Sequence, residues 1–241
     1  MAIYLSIVIP AYNEEKRIGL TLSRAYAFLK ARSYDYEVIL VDDGSNDKTV
    51  LQAQNSELAK TNKLKIIRND RNRGKGFAVK NGILNSSGEF VLFSDADLST
   101  PIEEVDKLFN QISKGHDIAI GSRGLEGSDV KVRQPWYREM MGKVFNRFVK
   151  LLLLTEFRDT QCGFKLFKAP VIKNIASRLK IDGFAFDVEI LYIAVKKHYK
   201  IKEVPVVWLN SHHSKVNPLY EPLKMFRDLF LIKMMHHKNF E

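Results

Sequence analysis

The chain has 241 residues, of which 45% are hydrophobic and 11% aromatic, so it can bury a substantial core and is not a disordered protein. Its single cysteine, Cys162, excludes an internal disulfide, and no apolar run approaches the roughly 20 residues that span a bilayer. The net charge of +10 predicts an anionic partner, either nucleic acid, anionic lipid or a phosphorylated substrate. A solvated lysine-rich surface would give the same charge balance.

The first half of the chain alternates strand and helix signals. Strands are predicted at residues 5–10, 36–41, 64–67, 90–93 and 118–120, and helices at about 15–30, 47–58 and 76–84. Thr100-Pro101-Ile102-Glu103 matches a capping box with proline at the first helical position, and so predicts another helix start. Apolar strands that alternate with helices indicate a mostly parallel sheet covered on both faces.

The second half is richer in helical signals. Helices are predicted at residues 136–154, 184–198 and 222–237, a loop entering a strand at 159–167, and a strand at 204–208. The sequence contains no internal repeat and no linker. We therefore predict one α/β domain with two functional halves, about 1–122 and about 123–241.

Asp95-Ala96-Asp97 directly follows a predicted strand. In an extended chain, residues i and i+2 point the same way, so both carboxylates can share one hard cation. Such a cation could neutralise the diphosphate that leaves when a nucleotide sugar reacts. The alternative is an acidic loop that caps the helix predicted after Thr100.

Two further polar clusters follow predicted strands, Pro10-Ala11-Tyr12-Asn13-Glu14 and Val41-Asp42-Asp43-Gly44-Ser45. Ligands in open α/β sheets bind beyond the carboxyl ends of the strands, so all three clusters should gather at one edge. Tyr12 can flank a base, and Asp43 can accept a hydrogen bond from a uracil or guanine N–H. The alternative for each cluster is ordinary turn chemistry.

These clusters, together with Gly121-Ser122-Arg123, occur in an order that resembles the family 2 glycosyltransferases with a GT-A fold, a Rossmann-like sheet flanked by helices. Residues 159–167, residues 184–189 and Ser214-Lys215 further resemble the dolichyl-phosphate (polyprenyl-phosphate) beta-glucosyltransferases. The resemblance covers nearly the whole chain. It implies an inverting, metal-dependent hexosyltransferase that uses a nucleotide sugar, most simply UDP-glucose, and a polyprenyl-phosphate lipid.

The resemblance also implies roles for individual positions. The implied base and ribose contacts are Pro10, Tyr12, Glu14, Val41 and Asp43. The implied diphosphate and Mg²⁺ or Mn²⁺ contacts are Asp95, Ala96 and Asp97, and Ser99 falls where mannose synthases often carry a glutamine metal ligand. Arg123 and Lys215 would grip phosphates, with Arg133 and Arg138 as weaker candidates. Lys75, in the glycine-flanked Asn72-Arg73-Gly74-Lys75-Gly76, is expected to approach the nucleotide.

A phosphate acceptor changes the chemistry that the enzyme needs. A phosphate monoester has a second pKa of about 6 and is mostly dianionic at pH 7, so it needs cations rather than a general base. Asp159 and Asp187 stay open as base or orienting groups, but a structural role is favoured for both, in which each caps a turn or pairs with Arg158 or Lys165. The ammonium of Lys215 could neutralise phosphate oxygens. We therefore predict that Lys215→Ala costs about 2–4 kcal/mol of transition-state stabilisation.

The helices at 136–154 and 222–237 interleave apolar, aromatic and basic residues, which is typical of an interfacial helix on anionic lipid as well as of a core helix. The expected location is therefore cytoplasmic, peripheral on the cytoplasmic face of a membrane, without the additional spanning helices of many polyprenyl-phosphate relatives. His212-His213 and His236-His237 are expected to be solvated, and Cys162 to be a packed residue.

Three other functions remain to be distinguished. A dolichyl-phosphate mannose synthase-like enzyme would use GDP-mannose, and a soluble family 2 transferase would act on a glycan and need an essential base. A nucleic-acid-binding protein would need an exposed aromatic and basic platform, whereas the basic residues here are scattered, so no nucleic-acid partner is expected.

Overall fold

The computed structural model describes residues 2–131, 136–209 and 220–237. Within these ranges the strands are β1 (Leu5–Ala11), β2 (Tyr36–Asp42), β3 (Leu64–Arg68), β4 (Phe90–Ser94), β5 (Ile118–Ser122), β6 (Asp129–Val130), β7 (Phe164–Lys168), β8 (Ile201–Pro205) and β9 (Val207–Trp208). The helices are α1 (Ile18–Leu29), α2 (Thr49–Gln54), α3 (Lys75–Leu84), α4 (Val105–Ser113), α5 (Trp136–Leu152), α6 (Ala169–Ala176), α7 (Phe186–Lys196) and α8 (Tyr220–Met235), with 3₁₀ turns at Glu57–Thr61 and Ile102–Glu104.

Seven strands form one sheet in the order β3-β2-β1-β4-β7-β5-β8. The pairs β3–β2, β2–β1, β1–β4 and β5–β8 are parallel, whereas β7 is antiparallel to both β4 and β5. The predicted mostly parallel sheet is therefore confirmed. Since β1, β2 and β4 run in the same direction, the loops that follow them emerge at one edge.

The core lies on both faces of this sheet. Alternate residues of β1 belong to different apolar clusters, Ile7 and Ile9 to one and Val8 to the other. Helices α1 and α4 cover the first face, and α3, α6 and α7 cover the second. Burial on both faces explains why β1 and β2 read as continuous apolar runs.

The predicted capping box at Thr100 is wrong. No side-chain cap bond forms, because the chain first makes the 3₁₀ turn Ile102–Glu104 and α4 begins only at Val105. The Thr100 hydroxyl instead lies 3.8 Å from Cys162 Sγ in the core. A buried tertiary contact thus takes the place of the local cap.

The second half contains two features that the sequence pattern did not separate. The strand predicted at 204–208 is two strands: β8 joins the main sheet, and β9 pairs with β6 in a small parallel sheet. Helix α6 was not predicted, although Pro170 lies in its first turn, where proline is favoured. Among the described residues, none of the helices combines the length and apolarity that a bilayer crossing requires.

Candidate active site

A cavity of about 620 Å³ opens at the carboxyl edge of the sheet. It lies beyond the ends of β1, β2 and β4, where the polar clusters were expected to gather. The residues predicted from the sequence that line it are Pro10, Tyr12, Glu14, Asp43, Lys75, Asp95, Ala96, Asp97, Ser99 and Arg123. Parallel strand order therefore brings three separate clusters of the sequence to one place.

Asp95 and Asp97 line the cavity from a turn rather than from the extended chain assumed in the prediction. The Asp95 N–H donates to the Gly163 carbonyl at 3.0 Å, and the Leu98 N–H donates back to the Asp95 carbonyl at 3.2 Å. Leu98 has a φ of +46°, and the Ser99 N–H donates to Asp97 Oδ1 at 2.9 Å. These bonds fix both acidic side chains at the cavity wall.

Each of these carboxylates has a cationic neighbour. Lys75 Nζ lies 2.6 Å from Asp95 Oδ1, and Arg17 Nη1 lies 3.7 Å from Asp97 Oδ2. Arg17 also makes a two-point ion pair with Glu14, in which Nε and Nη2 each donate at 2.6 Å. The acidic edge of the cavity is therefore partly neutralised by the protein itself.

The two carboxylates fit a divalent cation. Asp95 Oδ1 is buried and, in the part of the chain that is described, accepts no hydrogen bond of good geometry beside its ion pair with Lys75. Gly163 leaves room for the carboxylate, since a Cβ there would come within 2.0 Å of Asp95 Oδ2. The described residues hold no group of three or more His, Cys, Asp or Glu side chains suited to a metal. A cation here would take its other oxygen ligands from Ser99, phosphate or water.

Asp43 positions the loop that leads into α3. Its carboxylate is almost fully buried and accepts from Asn69 Nδ2 at 2.7 Å, from the Arg73 N–H at 3.0 Å and from the Gly74 N–H at 2.7 Å. A uracil or guanine N–H would have to share an oxygen that already accepts a hydrogen bond. Through these hydrogen bonds Asp43 positions the backbone next to Lys75. This role is supported as directly as a contact between Asp43 and a base.

Val41 is separated from the cavity. Its side chain is fully buried in the core, where it faces Gly82 of α3 so closely that a Cβ there would approach Val41 Cγ2 to 3.0 Å. The side chain cannot reach a base or ribose. Position 41 acts through the strand that carries Asp42 and Asp43 to the sheet edge.

Arg123 follows β5 and is held by Asp159. Its Nε donates to Asp159 Oδ2 at 2.6 Å, and its Nη2 donates to Oδ1 at 2.9 Å. The guanidinium carbon lies 5.4 Å from the ring centre of Trp208, within cation–π range. Burial raises the pKa of Asp159, but the charge and hydrogen bonds of Arg123 outweigh burial and lower it to about 2. Such a carboxylate is a poor proton acceptor at neutral pH, so Asp159 orients Arg123.

A buried polar network lies behind Asp95. Lys165 is fully buried, pairs with Asp187 and donates to the Cys162 carbonyl at 2.7 Å, which confirms the predicted Asp187–Lys165 pair. Burial raises the pKa of Asp187, and Lys165 and Lys75 only partly offset it. Burial lowers the pKa of Lys75, but Asp95 and Asp187 outweigh that and raise it. Lys75 therefore keeps its positive charge beside Asp95.

Cys162 is a packed residue, as predicted. It is 1% exposed, and burial raises the pKa of its thiol to about 11. A neutral thiol in an apolar setting has no nucleophilic role.

The prediction that His236 is solvated is wrong. Its side chain is 5% exposed, and Nε2 lies 2.7 Å from Oε1 of the fully buried Glu189 on α7. Glu189 also accepts from the N–H groups of Lys180 and Ile181. His236 thus docks the end of α8 onto the core, while His237 is exposed as expected.

Several predicted phosphate contacts lie outside the described residues. These are Lys215 and Arg133; the neighbours of Lys215 at positions 212–214, including the two histidines predicted to be solvated, also lie outside the described residues. The side chain of Arg138 is likewise not described. Their roles stay predictions.

The site assignments made from the sequence left out several residues that line the cavity, among them Arg17, Phe184, Trp208 and Lys224. Arg17 had a usable signal, because it stands one helical turn after Glu14 and can pair with it. Trp208 and Lys224 had none, since they come from β9 and α8, whose place beside the sheet edge is set by packing. Lys224 lies close to the loop at Gly183, where a Cβ would approach its Nζ to 3.6 Å.

Comparison with known proteins identifies the family of the chain. A model of the family described as "Glycosyl transferase family 2" matches residues 6–176. The chain is 38% identical over 245 residues to a dolichyl-phosphate beta-glucosyltransferase of Dictyostelium discoideum, covering 97% of this chain and 75% of the relative. It is 36% identical over 244 residues to the dolichyl-phosphate beta-glucosyltransferase of Homo sapiens, covering 96% and 75%.

Solved structures share the fold. Glucosyl-3-phosphoglycerate synthase of Mycobacterium tuberculosis, in complex with Mn²⁺, UDP and phosphoglyceric acid, matches with a TM-score of 0.70 at 18% identity, covering 96% of this chain and 78% of that one. The same synthase with Mg²⁺ and UDP matches with a TM-score of 0.68 at 18% identity and the same coverage. These structures confirm the predicted GT-A fold, whereas the family match and the similar sequences confirm the predicted glycosyltransferase class. The chain belongs to glycosyl transferase family 2, and the two relatives named above are dolichyl-phosphate beta-glucosyltransferases.

Proposed function

We propose that this glycosyltransferase moves glucose from UDP-glucose to dolichyl phosphate or another polyprenyl phosphate, with inversion at the anomeric carbon. The observation that carries the proposal is that one cavity is lined by two chemically different groups of side chains, which we call its donor wall and its acceptor wall. One wall holds Asp95 and Asp97, which suit a metal-bound diphosphate. The other holds Arg123, which suits an anionic acceptor and lies over the ring of Trp208.

The donor wall would hold Mg²⁺ or Mn²⁺ through Asp95 and Asp97, with Ser99 nearby. When bound, the cation supplies positive charge to the leaving diphosphate. The protein adds Lys75 and Arg17, whose ammonium and guanidinium groups lie at the same edge. Tyr12 is 36% exposed at the cavity and can flank the base.

In the described part of the acceptor wall, Arg123 supplies a cation, and Asp159 beside it is a poor base. Arg123 has five N–H donors, and Asp159 accepts from two of its nitrogens, so the guanidinium keeps donors for a phosphate oxygen. The pKa of about 2 for Asp159 fits an acceptor that needs no deprotonation. Lys215, if it reaches this wall, would add a second cation, and the change in kcat/KM of Lys215→Ala tests it.

A surface beside the cavity suits a lipid. Helix α5 exposes Met140, Val144, Phe148 and Leu151, which are four, four and three residues apart and so share one face. Helix α8 exposes Leu223, Phe230 and Met234, and the ring of Phe226 on α8 lies 4.9 Å from that of Phe148. We call these seven exposed side chains the apolar face.

Basic and apolar groups occur together on these two helices. Lys143, Arg147, Arg227 and Lys233 are exposed there. Since α8 also carries Lys224 at the cavity, a lipid phosphate could reach the site while its chain stays in the membrane. This supports a peripheral position on the cytoplasmic face of an anionic membrane.

A transfer assay tests the proposal. The protein is incubated with Mn²⁺, a polyprenyl phosphate and either radiolabelled UDP-glucose or radiolabelled GDP-mannose, and the lipid phase is extracted. Label from UDP-glucose, in a β linkage by NMR, is expected. Label only from GDP-mannose would favour the mannose synthase-like alternative, and an α linkage would contradict inversion.

A soluble glycan acceptor in parallel tests the other alternative. Transfer to the glycan but not to the lipid phosphate would reject the lipid acceptor and call for an essential base. The Asp159→Asn variant, assayed with each acceptor, would then show whether that base is Asp159.

A further inference from the structure

The two carboxylates assigned to the metal are each paired with a cation of the protein. Lys75 Nζ lies 2.6 Å from Asp95 Oδ1, and Arg17 Nη1 lies 3.7 Å from Asp97 Oδ2. Arg17 shares its charge with Glu14. The three carboxylates of Glu14, Asp95 and Asp97 and the two cations of Lys75 and Arg17 leave a net charge of −1 at this edge. Such a small net charge attracts a free divalent ion only weakly.

The pair between Lys75 and Asp95 is built into the fold. Lys75 is the first residue of α3, and the N–H groups on either side of it are fixed: that of Gly74 donates to Asp43 at 2.7 Å, and that of Gly76 donates to the Asp182 carbonyl at 2.8 Å. A Cβ on Gly76 would lie 2.4 Å from the Ile181 carbonyl, so this end of the helix sits directly on its neighbour.

The surroundings of Lys75 strengthen the pair. Its Nζ lies 5.4 Å from the ring centre of Phe93 and 6.0 Å from that of Phe186. Apolar rings exclude water and raise the strength of a charge pair. Asp187, which pairs with Lys165, adds attraction for the same ammonium.

A metal ion and Lys75 compete for one oxygen. A divalent cation binds carboxylate oxygen at roughly 2.0–2.6 Å, so an ammonium at the same oxygen would lie in strong repulsion with it. A diphosphate changes this balance, because its negatively charged oxygens can coordinate the metal ion and also form an ion pair with the displaced ammonium.

We propose that Lys75 is the resident counter-ion of Asp95 in the nucleotide-free protein, and that metal displaces it only when a nucleoside diphosphate binds. The Lys75 ammonium then forms an ion pair with a diphosphate oxygen instead of with Asp95. Metal and nucleotide consequently bind with strong positive coupling. The inference rests on the metal and donor of the proposed function and does not depend on the acceptor.

Mn²⁺ binding tests the proposal without catalysis. Free Mn²⁺ is followed by electron paramagnetic resonance at fixed ionic strength, with and without UDP. Wild type should bind Mn²⁺ about tenfold more tightly when UDP is present, which is an ordinary coupling free energy. In Lys75→Met, Mn²⁺ should bind the nucleotide-free protein about tenfold more tightly than in wild type, and the effect of UDP should shrink to about threefold or less.

Three further variants serve as controls. Lys75→Gln is a second charge-free variant, and it replaces Lys75→Met if thermal unfolding shows that Lys75→Met is not folded. Lys75→Arg keeps the charge and should keep the wild-type coupling. Lys114→Met removes an exposed lysine at the end of α4, which is the opposite edge of the sheet, and should bind Mn²⁺ as wild type does.

The outcomes separate this inference from the proposed function. If wild type binds Mn²⁺ with UDP but the charge-free variants bind Mn²⁺ no more tightly than wild type, the counter-ion role is overturned and the metal assignment stands. If wild type binds no Mn²⁺ even with UDP, both are overturned. Failure of the lipid-transfer assay alone leaves the Mn²⁺ result unaffected.

Discussion

The donor edge of the sheet and the apolar face of α5 and α8 are built in opposite ways. At the donor edge, the acidic groups are paired within the protein, as in Asp43 with the Gly74 N–H and Asp95 with Lys75. The acceptor wall of the same cavity follows this rule, because Asp159 pairs there with Arg123. On the apolar face, large side chains such as Leu151 and Leu223 are 79% and 71% exposed.

The two regions differ in where their side chains find partners: the charges at the donor edge pair within the protein, whereas the apolar side chains are left exposed. Charges that must meet a small ligand at fixed distances are held in position by internal partners before the ligand binds. An apolar surface needs no such geometry, because the hydrophobic effect is non-directional and depends on area. We therefore expect single substitutions to be severe at the donor edge and graded on the apolar face.

The largest effect is expected at Asp97. Asp97→Asn should lower kcat/KM for transfer from UDP-glucose by about 10³, which is the scale of losing one electrostatic contact to the leaving group. The thermal midpoint should stay near that of wild type, since Asp97 accepts only one described hydrogen bond, from the Ser99 N–H. Asp106→Asn, which removes an exposed partner of Arg32, is the matched control and should keep full activity. Full activity of wild type in EDTA would contradict the metal assignment.

Asp159→Asn tests preorganisation through stability. The pKa of Asp159 is lowered from 3.8 to about 2, and a shift of that size corresponds to about 2 kcal/mol of stability at pH 7. Because the folded pKa is the lower one, this stability is present above pH about 4 and is lost as the pH falls toward about 2.

Urea unfolding of wild type and Asp159→Asn should therefore differ at pH 7 and converge as the pH falls through that window. Asp129→Asn, which removes an exposed partner of Lys131, should differ from wild type by less than about 1 kcal/mol at any pH. An equal effect of the two variants at pH 7 would mean that Asp159 is no more organised than a surface carboxylate.

The apolar face should show a smaller and additive effect. Replacing both Phe148 and Leu151 with serine should weaken binding to anionic vesicles at least about tenfold, since each side chain loses apolar area that the membrane could cover. Flotation at low salt measures this. Leu20→Ser with Leu51→Ser removes similarly exposed leucines, 59% and 50%, from α1 and α2 and should not change binding. Equal loss in both double variants would place the membrane contact elsewhere.

The smallest expected effect tests how α8 is attached. His236→Ala should cost about 1 kcal/mol of unfolding free energy, because it removes the contact to Glu189 Oε1. His237→Ala, at the exposed neighbouring position, should stay within about 0.5 kcal/mol of wild type. Unfolding free energies that do not separate the two variants would show that α8 is held by its apolar contacts alone.

The sequence by itself determined the parallel sheet and the gathering of the polar clusters. Continuous apolar runs in β1 and β2 require a sheet buried on both faces, and parallel strands place the loops after them at one edge. Pro10, Tyr12, Asp43, Asp95 and Asp97 could therefore be assigned to one site without knowledge of the fold's details. The strand and helix signals are local, and local patterns are what a sequence displays directly.

The tertiary structure alone decided which of these residues face the cavity and which groups neutralise them. Val41 lies two residues before Asp43, which lines the cavity, yet the Val41 side chain is buried in the core. Asp159 pairs with Arg123 across 36 residues of the chain. Trp208 and Lys224 reach the cavity because β9 and α8 pack beside it. His236 is buried where its Nε2 lies 2.7 Å from Glu189 Oε1 of α7. Contacts between residues far apart in the chain depend on how whole elements pack, and no local pattern of residue types records that packing.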